Sequence, residues 1–234
     1  MATIRLSHSR SRYSRLRLGI TLALAALVLL AVPAQANSAD RSTSPVYWFD
    51  EDGMPTADVA GESRLVRTDS KISLNLRTTG LEAGHTYTVW WVIFNNPEDC
   101  EAGDGIMVEC GEEDLANENV VSTLAAAAGN VVGNSGRGNF GGSISVGDTR
   151  NLAGVGTVLD TQPLSNPRGA EVHLVVRDHG PLNPAFMPDQ IQTFGGGCDH
   201  SDDGFPPPLV GEGVDGGDDG FACVDPQFSV HLAD

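Results

Sequence analysis

The chain has 234 residues and is strongly acidic, with 31 Asp and Glu against 14 Lys and Arg and a formal net charge of −17 at pH 7. Such a surface repels nucleic acid and anionic membranes, so we expect neither as a partner. Hydrophobic residues make up 40% of the chain, which is enough to build a folded core, and the length suits one domain.

The N-terminus has the order of segments that is typical of a secretory signal peptide. Residues 1–17 contain five arginines and no acid, and residues 18–32 form an almost entirely apolar run that is short for a membrane span of ~20 residues. Ala34 and Ala36 supply small residues before an expected cleavage site. We therefore predict a signal peptide over 1–36 and a secreted or periplasmic location. A flexible lead-in over 37–45 and a single β-domain over 46–234, with no later membrane span, should follow.

Four cysteines in an exported chain predict two disulfides, and three pairings are open. We favour Cys100–Cys110 and Cys198–Cys223, because each pair closes a local, acidic loop. Closing either loop should stabilise the folded chain by about 3 kcal/mol through the entropy of the unfolded state. A zinc site is the competing interpretation, but no cysteine pair has the short spacing that is typical of zinc ligands.

Glycine-rich turns separate short segments that have the alternation or the β-branched content of strands. The strongest is Thr86–Phe94 (TYTVWWVIF), which is apolar on both faces and predicts a central strand with Trp90 and Trp91 buried on opposite sides. The other predicted strands are 72–76, 131–132, 140–146, 156–159, 170–177, 190–194 and 227–232, and residues 120–128 suit one short helix. The chain is thus predicted to be all-β, a two-sheet antiparallel β-sandwich with long disulfide-stapled acidic loops.

The second acidic loop offers a calcium hypothesis. Asp199, Ser201 and Asp203 place oxygen ligands at alternate positions before a glycine, as at the start of a calcium-binding loop. The glutamate that closes such a loop is missing, because Val210 stands at the twelfth position. A solvated acidic loop without an ion is the other interpretation. We therefore expect either no cofactor or a calcium ion at these residues.

Two predicted strands, 170–177 and 227–232, each alternate between an apolar face and a polar face. If they share a sheet, their polar residues gather on one surface, namely Glu171, His173, Arg177, Gln227 and His231. The imidazoles and the guanidinium would suit a metal ion or a small polar ligand. A solvated sheet face without a ligand is the other interpretation.

Motifs that carry catalysis are missing or stand in the wrong context. The glycine pattern at 136–141 matches a dinucleotide fingerprint, but no strand–helix alternation surrounds it, so a glycine-rich turn is the better interpretation. The sequence has no G-x-S-x-G elbow and no H-E-x-x-H segment. A copper site of the cupredoxin type is also disfavoured, because Cys198 and His200 stand too close together.

Several segments resemble uncharacterised secreted all-β proteins from environmental bacteria. These segments are YTVWWVIFNNP (87–97), the cysteine pair that follows it, AEVHLVVRDHG (170–180) and the closing Cys223, Gln227 and His231. The resemblance covers most of the chain after the predicted signal peptide. It implies one exported all-β domain and carries no catalytic residue.

Three functions are open on this basis. The first is a non-enzymatic secreted module that binds a ligand or associates with the cell envelope, with its partner and oligomeric state unassigned. The second is a module that binds calcium or a transition metal through the acidic loop or the His173–His231 face. The third is an enzyme whose site is assembled from separate strands, around Glu171, His173, Arg177 and His231. The missing catalytic motifs favour the first.

Overall fold

The fold is built from eight antiparallel strands. The computed structural model describes residues 38–50, 54–104, 107–155, 159–199, 214, 216 and 220–233. The strands are β1 (Asp40–Phe49), β2 (Pro55–Thr68), β3 (Lys71–Thr78), β4 (His85–Phe94), β5 (Ser122–Val131), β6 (Gly138–Ser145), β7 (Glu171–Pro181) and β8 (Val224–His231). Short 3-10 helices span Pro97–Asp99, Glu112–Ala116 and Asp189–Ile191. The described residues form no α-helix, and the predicted all-β class is confirmed.

All eight strands belong to one sheet, in the order β5-β4-β7-β8-β1-β2-β3-β6. The sheet curls so far that its two end strands approach each other. Gly142 of β6 allows this approach, because a β-carbon there would lie 2.5 Å from the carbonyl oxygen of Ala127 in β5. No ladder joins β5 to β6 within the described ranges, so the barrel is nearly closed. One barrel-like sheet therefore stands in place of the expected two-sheet sandwich.

An apolar core fills most of the interior of this barrel. Inward residues recur at every second position, as in β3, where Ile72, Leu74 and Leu76 are buried. The facing strands complete this interior core with Tyr87, Val89, Trp91, Ile93, Phe140, Val172, Leu174 and Val176. Because burying one large apolar side chain contributes about 1.5–3 kcal/mol, this core is the main source of stability.

The strand β4 is apolar on both faces because both faces are covered. Trp91 belongs to the interior core, whereas Trp90 belongs to a second apolar cluster on the outer face. The segments after β4, β6 and β7 contribute to that outer cluster through Leu115, Ala153, Leu159 and Phe194. Trp90 and Trp91 are only 2% and 1% exposed, so the prediction of two buried tryptophans on opposite faces is confirmed.

Several segments differ from their predicted structure. Residues 40–45, expected in the flexible lead-in, form the first half of β1. Residues 122–128 belong to β5 instead of a helix, because their backbone pairs with β4. Residues 190–194 overlap a 3-10 helix, not a strand. The predicted signal peptide and residues 156–158 of another predicted strand lie outside the described residues.

The strands β1 and β2 were not predicted from the sequence, because they face a polar part of the barrel interior. Ser42 of β1 and Ser63 and Arg67 of β2 occupy positions where an apolar residue would reveal the alternation of a strand. Hydrogen bonds to β8 and to the segment before β7 replace apolar packing at these positions. The period of two is therefore present in the burial of β2 but absent from its hydrophobicity.

Both predicted disulfides are present. Cys100–Cys110 lies between β4 and β5, Cys198–Cys223 lies between β7 and β8, and no cysteine is free. Disulfides are typical of oxidising compartments, in agreement with the predicted export. Within the described ranges, no helix has the length and apolar character needed to cross a membrane.

Candidate ligand-binding pocket

The structure divides the predicted polar face between two opposite sides of the sheet. In the ladder of β7 and β8, Val172 pairs with His231 and Val176 pairs with Gln227. Directly paired residues lie on the same face of a sheet, and both valines belong to the interior core. Gln227 and His231 therefore point into the barrel, and the predicted common face does not form. The outward polar residues of β7 are Glu171, His173, Arg177 and His179, which we call the outer polar row.

Inside the barrel, His231 joins Ser42, Ser63 and Ser229 in a group that we call the interior polar cluster. His231 Nδ1 lies 2.7 Å from the Ser42 hydroxyl, and its Nε2 lies 2.7 Å from the Ser63 hydroxyl. The hydroxyls of Ser63 and Ser229 are 2.6 Å apart. Burial, reinforced by the charge of Arg67, lowers the pKa of His231 to about 4, so the imidazole is neutral at physiological pH. Since Ser63 is fully buried, we assign this serine–histidine group a structural role and not a catalytic one.

Gln227 and Arg67 make further polar contacts in the interior. The Thr78 hydroxyl donates to Gln227 Oε1 at 2.6 Å, and Gln227 Nε2 donates to a backbone carbonyl. The Arg67 guanidinium donates to the carbonyls of Ala170 and His231, which ties β2 to the start of β7 and the end of β8. These contacts hold strands together inside the barrel.

In the outer polar row, Arg177 is a buried clamp. Its Nε donates to the carbonyl oxygen of Phe194 at 2.9 Å, and its Nη1 lies 3.1 Å from the Asp225 carboxylate. The guanidinium also lies 4.0 Å from the centre of the Phe194 ring. Burial raises the pKa of Asp225, although the charge of Arg177 opposes that shift. These contacts fix the segment after β7 against the sheet.

His179 of the outer polar row holds Trp90 in place. Its Nδ1 lies 3.0 Å from the Gly196 carbonyl, which only accepts, so Nδ1 carries the proton. Its Nε2 then accepts from the Thr88 hydroxyl at 2.8 Å, and that hydroxyl accepts from the indole N–H of Trp90. Burial, with a smaller contribution from the charge of Arg177, lowers the pKa of His179 to about 3. A neutral imidazole thus orients Trp90 through one hydroxyl.

The described residues contain two groups of potential metal ligands, and each includes a whole disulfide. One joins His179 to the Cys198–Cys223 pair, and the other joins Asp114 to the Cys100–Cys110 pair. Because thiolates rather than disulfide sulfurs bind metals, neither group is a ready metal site. The predicted calcium ligands Ser201 and Asp203 lie outside the described residues, and calcium binding with Asp199 stays a prediction.

Glu171 and His173 form a carboxylate–imidazole pair at the start of β7. Glu171 is fully buried, and its carboxylate lies 2.6 Å from Nε2 of His173. The carboxylate also accepts the backbone N–H groups of Glu109 and Cys110 at 3.0 and 3.2 Å. Glu171 thus accepts hydrogen bonds from two backbone N–H groups and from Nε2–H of His173. The other ring nitrogen of His173, Nδ1, makes no hydrogen bond to the described residues.

The hydrogen bonds that Glu171 accepts also anchor the disulfide loop, by which we mean the described residues 97–104 and 107–116, over the outer face of the sheet. Within this loop, the buried carboxylate of Asp114 accepts the backbone N–H groups of Glu101, Ala102 and Gly111. Burial alone would raise the pKa of Asp114, but these N–H groups outweigh it and lower the pKa. One disulfide and two carboxylates therefore hold the loop in place.

An apolar pocket of about 290 Å³, which we call the outer pocket, lies on the outer face of the sheet. Its floor is the outward face of four neighbouring strands and contains Leu124, Trp90, Val92, Phe94, Val175 and Phe228. Its walls come from the disulfide loop, the end of β1 and other connecting segments, and they contain Phe49, Val108, Leu115, Ala153 and Phe194. Aromatic and aliphatic side chains therefore dominate its surface.

His173 and Glu112 are the titratable side chains of the described lining. The His173 ring meets the Phe94 ring edge-on, with 5.2 Å between their centres. Burial raises the pKa of Glu112, and the charges of Glu113 and Asp225 add to that shift. The outer pocket thus combines apolar walls with one imidazole and one carboxyl.

The outer pocket was not predicted from the sequence. The sequence feature that points to it is the second apolar face of β4, which indicates that other residues cover the outer face of the sheet. That signal does not reveal a gap between the cover and the sheet, because the gap depends on where the disulfide loop is anchored.

Comparison with protein families, with curated proteins and with solved structures gives no match for this chain. The resemblance to secreted bacterial proteins stays an expectation. Function is therefore inferred from the geometry of the outer pocket.

Proposed function

We propose that the protein is a non-enzymatic binding module that holds a small, mainly apolar molecule in the outer pocket. The observation that carries this proposal is the pocket of about 290 Å³ with its aromatic and aliphatic lining. Ligand pockets have volumes of roughly 300–1,000 Å³, apolar walls and a few placed polar groups. The outer pocket lies at the lower end of that range, so it suits a compact molecule.

The walls of the pocket are preorganised. Trp90 is fixed by its indole hydrogen bond to Thr88 and by an edge-on contact with Phe194, with 5.2 Å between ring centres. The wall formed by the disulfide loop is fixed by the Cys100–Cys110 disulfide and by the hydrogen bonds that the loop donates to Glu171. Walls that are already ordered lose little entropy when a ligand binds, which favours affinity.

An enzyme is the less supported alternative. The described lining offers His173 and Glu112 but no hydroxyl or free thiol as a nucleophile. The predicted catalytic set is also divided, since His231 lies inside the barrel and His173 outside it. Export, and with it a place in the cell envelope or outside the cell, remains part of the proposal on the basis of the predicted signal peptide.

Titration with prodan, a neutral naphthalene dye whose emission reports an apolar environment, tests this function. We expect saturable binding with one dye per chain. The variant Val175→Trp fills the pocket floor and should weaken binding by about tenfold or more. The control Val59→Trp adds the same bulk on β2, where the side chain is 60% exposed, and should bind normally. Equal binding by both variants, or no saturable binding by the native protein, would contradict the proposal.

A further inference from the structure

The volume of the outer pocket limits the size of its ligand. An apolar protein cavity of ~150 Å³ is large enough to hold benzene. The outer pocket has about 290 Å³, close to twice that volume. If the protein binds a small apolar molecule as proposed above, a ligand with two fused rings fills the pocket best. Flat aromatic rings also match a lining that contains Trp90, Phe94 and Phe194.

The polar group that the ligand needs follows from the tautomer of His173. The Glu171 carboxylate accepts a hydrogen bond from Nε2–H, so in the neutral imidazole Nδ1 is an acceptor. Glu171 is itself held by two backbone N–H groups of the disulfide loop, which fixes the direction of the imidazole. A ligand that donates one hydrogen bond therefore complements His173, whereas a purely apolar ligand leaves Nδ1 without a partner.

The charges around the pocket select against anions. Glu171 stands behind His173, Glu112 lies in the lining, and Asp225 is close enough to affect the Glu112 carboxyl. The described lining contains no Lys or Arg, and Arg177 already binds Asp225. A carboxylate ligand would meet like charge and no counter-ion. An ammonium ligand would lose its hydration among the apolar side chains that dominate the lining.

We infer that the outer pocket takes a neutral aromatic alcohol of two fused rings, and that its hydroxyl donates a hydrogen bond to Nδ1 of His173. The inference rests on the proposed function and adds the ligand class. The rings fill the space between the disulfide loop and the sheet. His173 is the specificity-determining residue, and Glu171 acts through it by holding the tautomer.

A series of four naphthalene compounds tests the inference by isothermal titration at neutral pH. The compounds are naphthalene, 2-naphthol, 2-naphthoate and 2-naphthylmethylammonium. We expect 2-naphthol to bind about tenfold tighter than naphthalene, because Nδ1 makes no hydrogen bond to the described residues and one new hydrogen bond there has that effect. Both charged compounds should bind more weakly than 2-naphthol.

Two variants locate the hydroxyl. His173→Phe removes the acceptor and keeps an aromatic ring, so naphthalene should bind as before while 2-naphthol loses its roughly tenfold advantage. The control Val59→Ala changes an exposed side chain outside the pocket lining and should preserve that advantage. Retained naphthalene binding shows that the His173→Phe pocket is folded, and if that variant does not fold, the four compounds on the native protein decide the matter.

The outcomes separate the two proposals. Equal binding of naphthalene and 2-naphthol, or tightest binding by either charged compound, would overturn the ligand class and leave the apolar binding function in place. Saturation by none of the four, together with no prodan binding, would overturn both. A dimer in sedimentation that naphthalene dissociates would place a second copy of the chain over the pocket and would also overturn the assignment of a small alcohol.

Discussion

Two histidines of neighbouring strands, His231 of β8 and His173 of β7, lie on opposite sides of the same sheet. Both ring nitrogens of His231 contact serine hydroxyls inside the barrel. His173 donates a hydrogen bond through Nε2 to the buried Glu171 carboxylate and makes no hydrogen bond through Nδ1 to the described residues. The first histidine is surrounded by barrel strands, while the second lines a pocket.

Residue type therefore does not distinguish a histidine with a structural role from a histidine that lines a pocket. His231 sits beside serines, as catalytic histidines do, but its hydrogen bonds are complete and it holds β1, β2 and β8 together. His173 is hydrogen-bonded through Nε2 to Glu171 but makes no hydrogen bond through Nδ1 to the described residues, and its side chain lines the outer pocket. Completeness of hydrogen bonding, combined with access, is therefore the better guide.

The largest expected effect tests whether both faces of the sheet are covered. Trp91→Ala opens a cavity in the interior core and Trp90→Ala opens one in the pocket floor, so each should lower the free energy of unfolding by about 3–5 kcal/mol. Urea denaturation followed by circular dichroism measures both. The control Val59→Ala changes an exposed side chain and should alter stability by under ~0.5 kcal/mol. Losses below ~1 kcal/mol at both tryptophans would disprove the two covered faces.

The next effect uses pH to show which histidines are held neutral. Burial lowers the pKa of His179 to about 3 and that of His231 to about 4, while histidine in an unfolded chain titrates near ~6.5. Below that pH the unfolded state binds more protons, so the stability that these groups contribute is complete above pH ~6.5 and is lost as the pH falls. Each should account for about 2 kcal/mol of lost stability at pH ~5.

The matched variant for this prediction is His231→Leu, compared with the native protein by urea denaturation at neutral pH and at pH ~5. It should remove about half of the loss that the two histidines cause. The raised pKa values of Glu112 and Asp225 act in the opposite direction, but both proteins contain them, so their contribution cancels. An identical pH dependence in the two proteins would show that His231 is not held neutral.

The smallest effect separates the interior polar cluster from the outer pocket. Ser63→Ala leaves His231 Nε2 and the Ser229 hydroxyl without their shared partner and should cost about 1–3 kcal/mol of stability. Ser44→Ala is the matched control on β1, since the Ser44 hydroxyl reaches just its neighbour's carbonyl at 3.5 Å. Prodan affinity should be normal in both. Weaker dye binding by Ser63→Ala would mean that the two regions are coupled.

Features that depend on neighbours along the chain were predicted well. The segment 86–94 is apolar on both faces, and it became a strand covered on both sides. The disulfides were predicted from the short loops that they close, and both pairs are present. Local alternation predicts the strand and loop length predicts the disulfides, and both properties depend on at most a few dozen consecutive residues.

Features that depend on strand pairing were not predicted. The polar residues of β7 and β8 were expected on one surface, but the ladder pairs His231 with Val172 and sends the two sets to opposite sides. The alternation within each strand was read correctly. Which face of β8 points inward was decided by Ser42 and Ser63 on β1 and β2, strands far away in the sequence that offer hydrogen bonds to His231.

The amino-acid sequence by itself determined the all-β class, the two disulfides and the strand with two apolar faces, because alternation, turn residues and loop closure act over short distances. The tertiary structure alone decided that the sheet closes into a barrel, which polar residues it encloses, and where the outer pocket opens. Those outcomes depend on register and on the anchoring of the disulfide loop by Glu171, and both arise from contacts between residues 60 or more positions apart. The geometry on which the proposed function rests belongs to that second group, because only the fold brings His173, Glu171 and the walls of the outer pocket together.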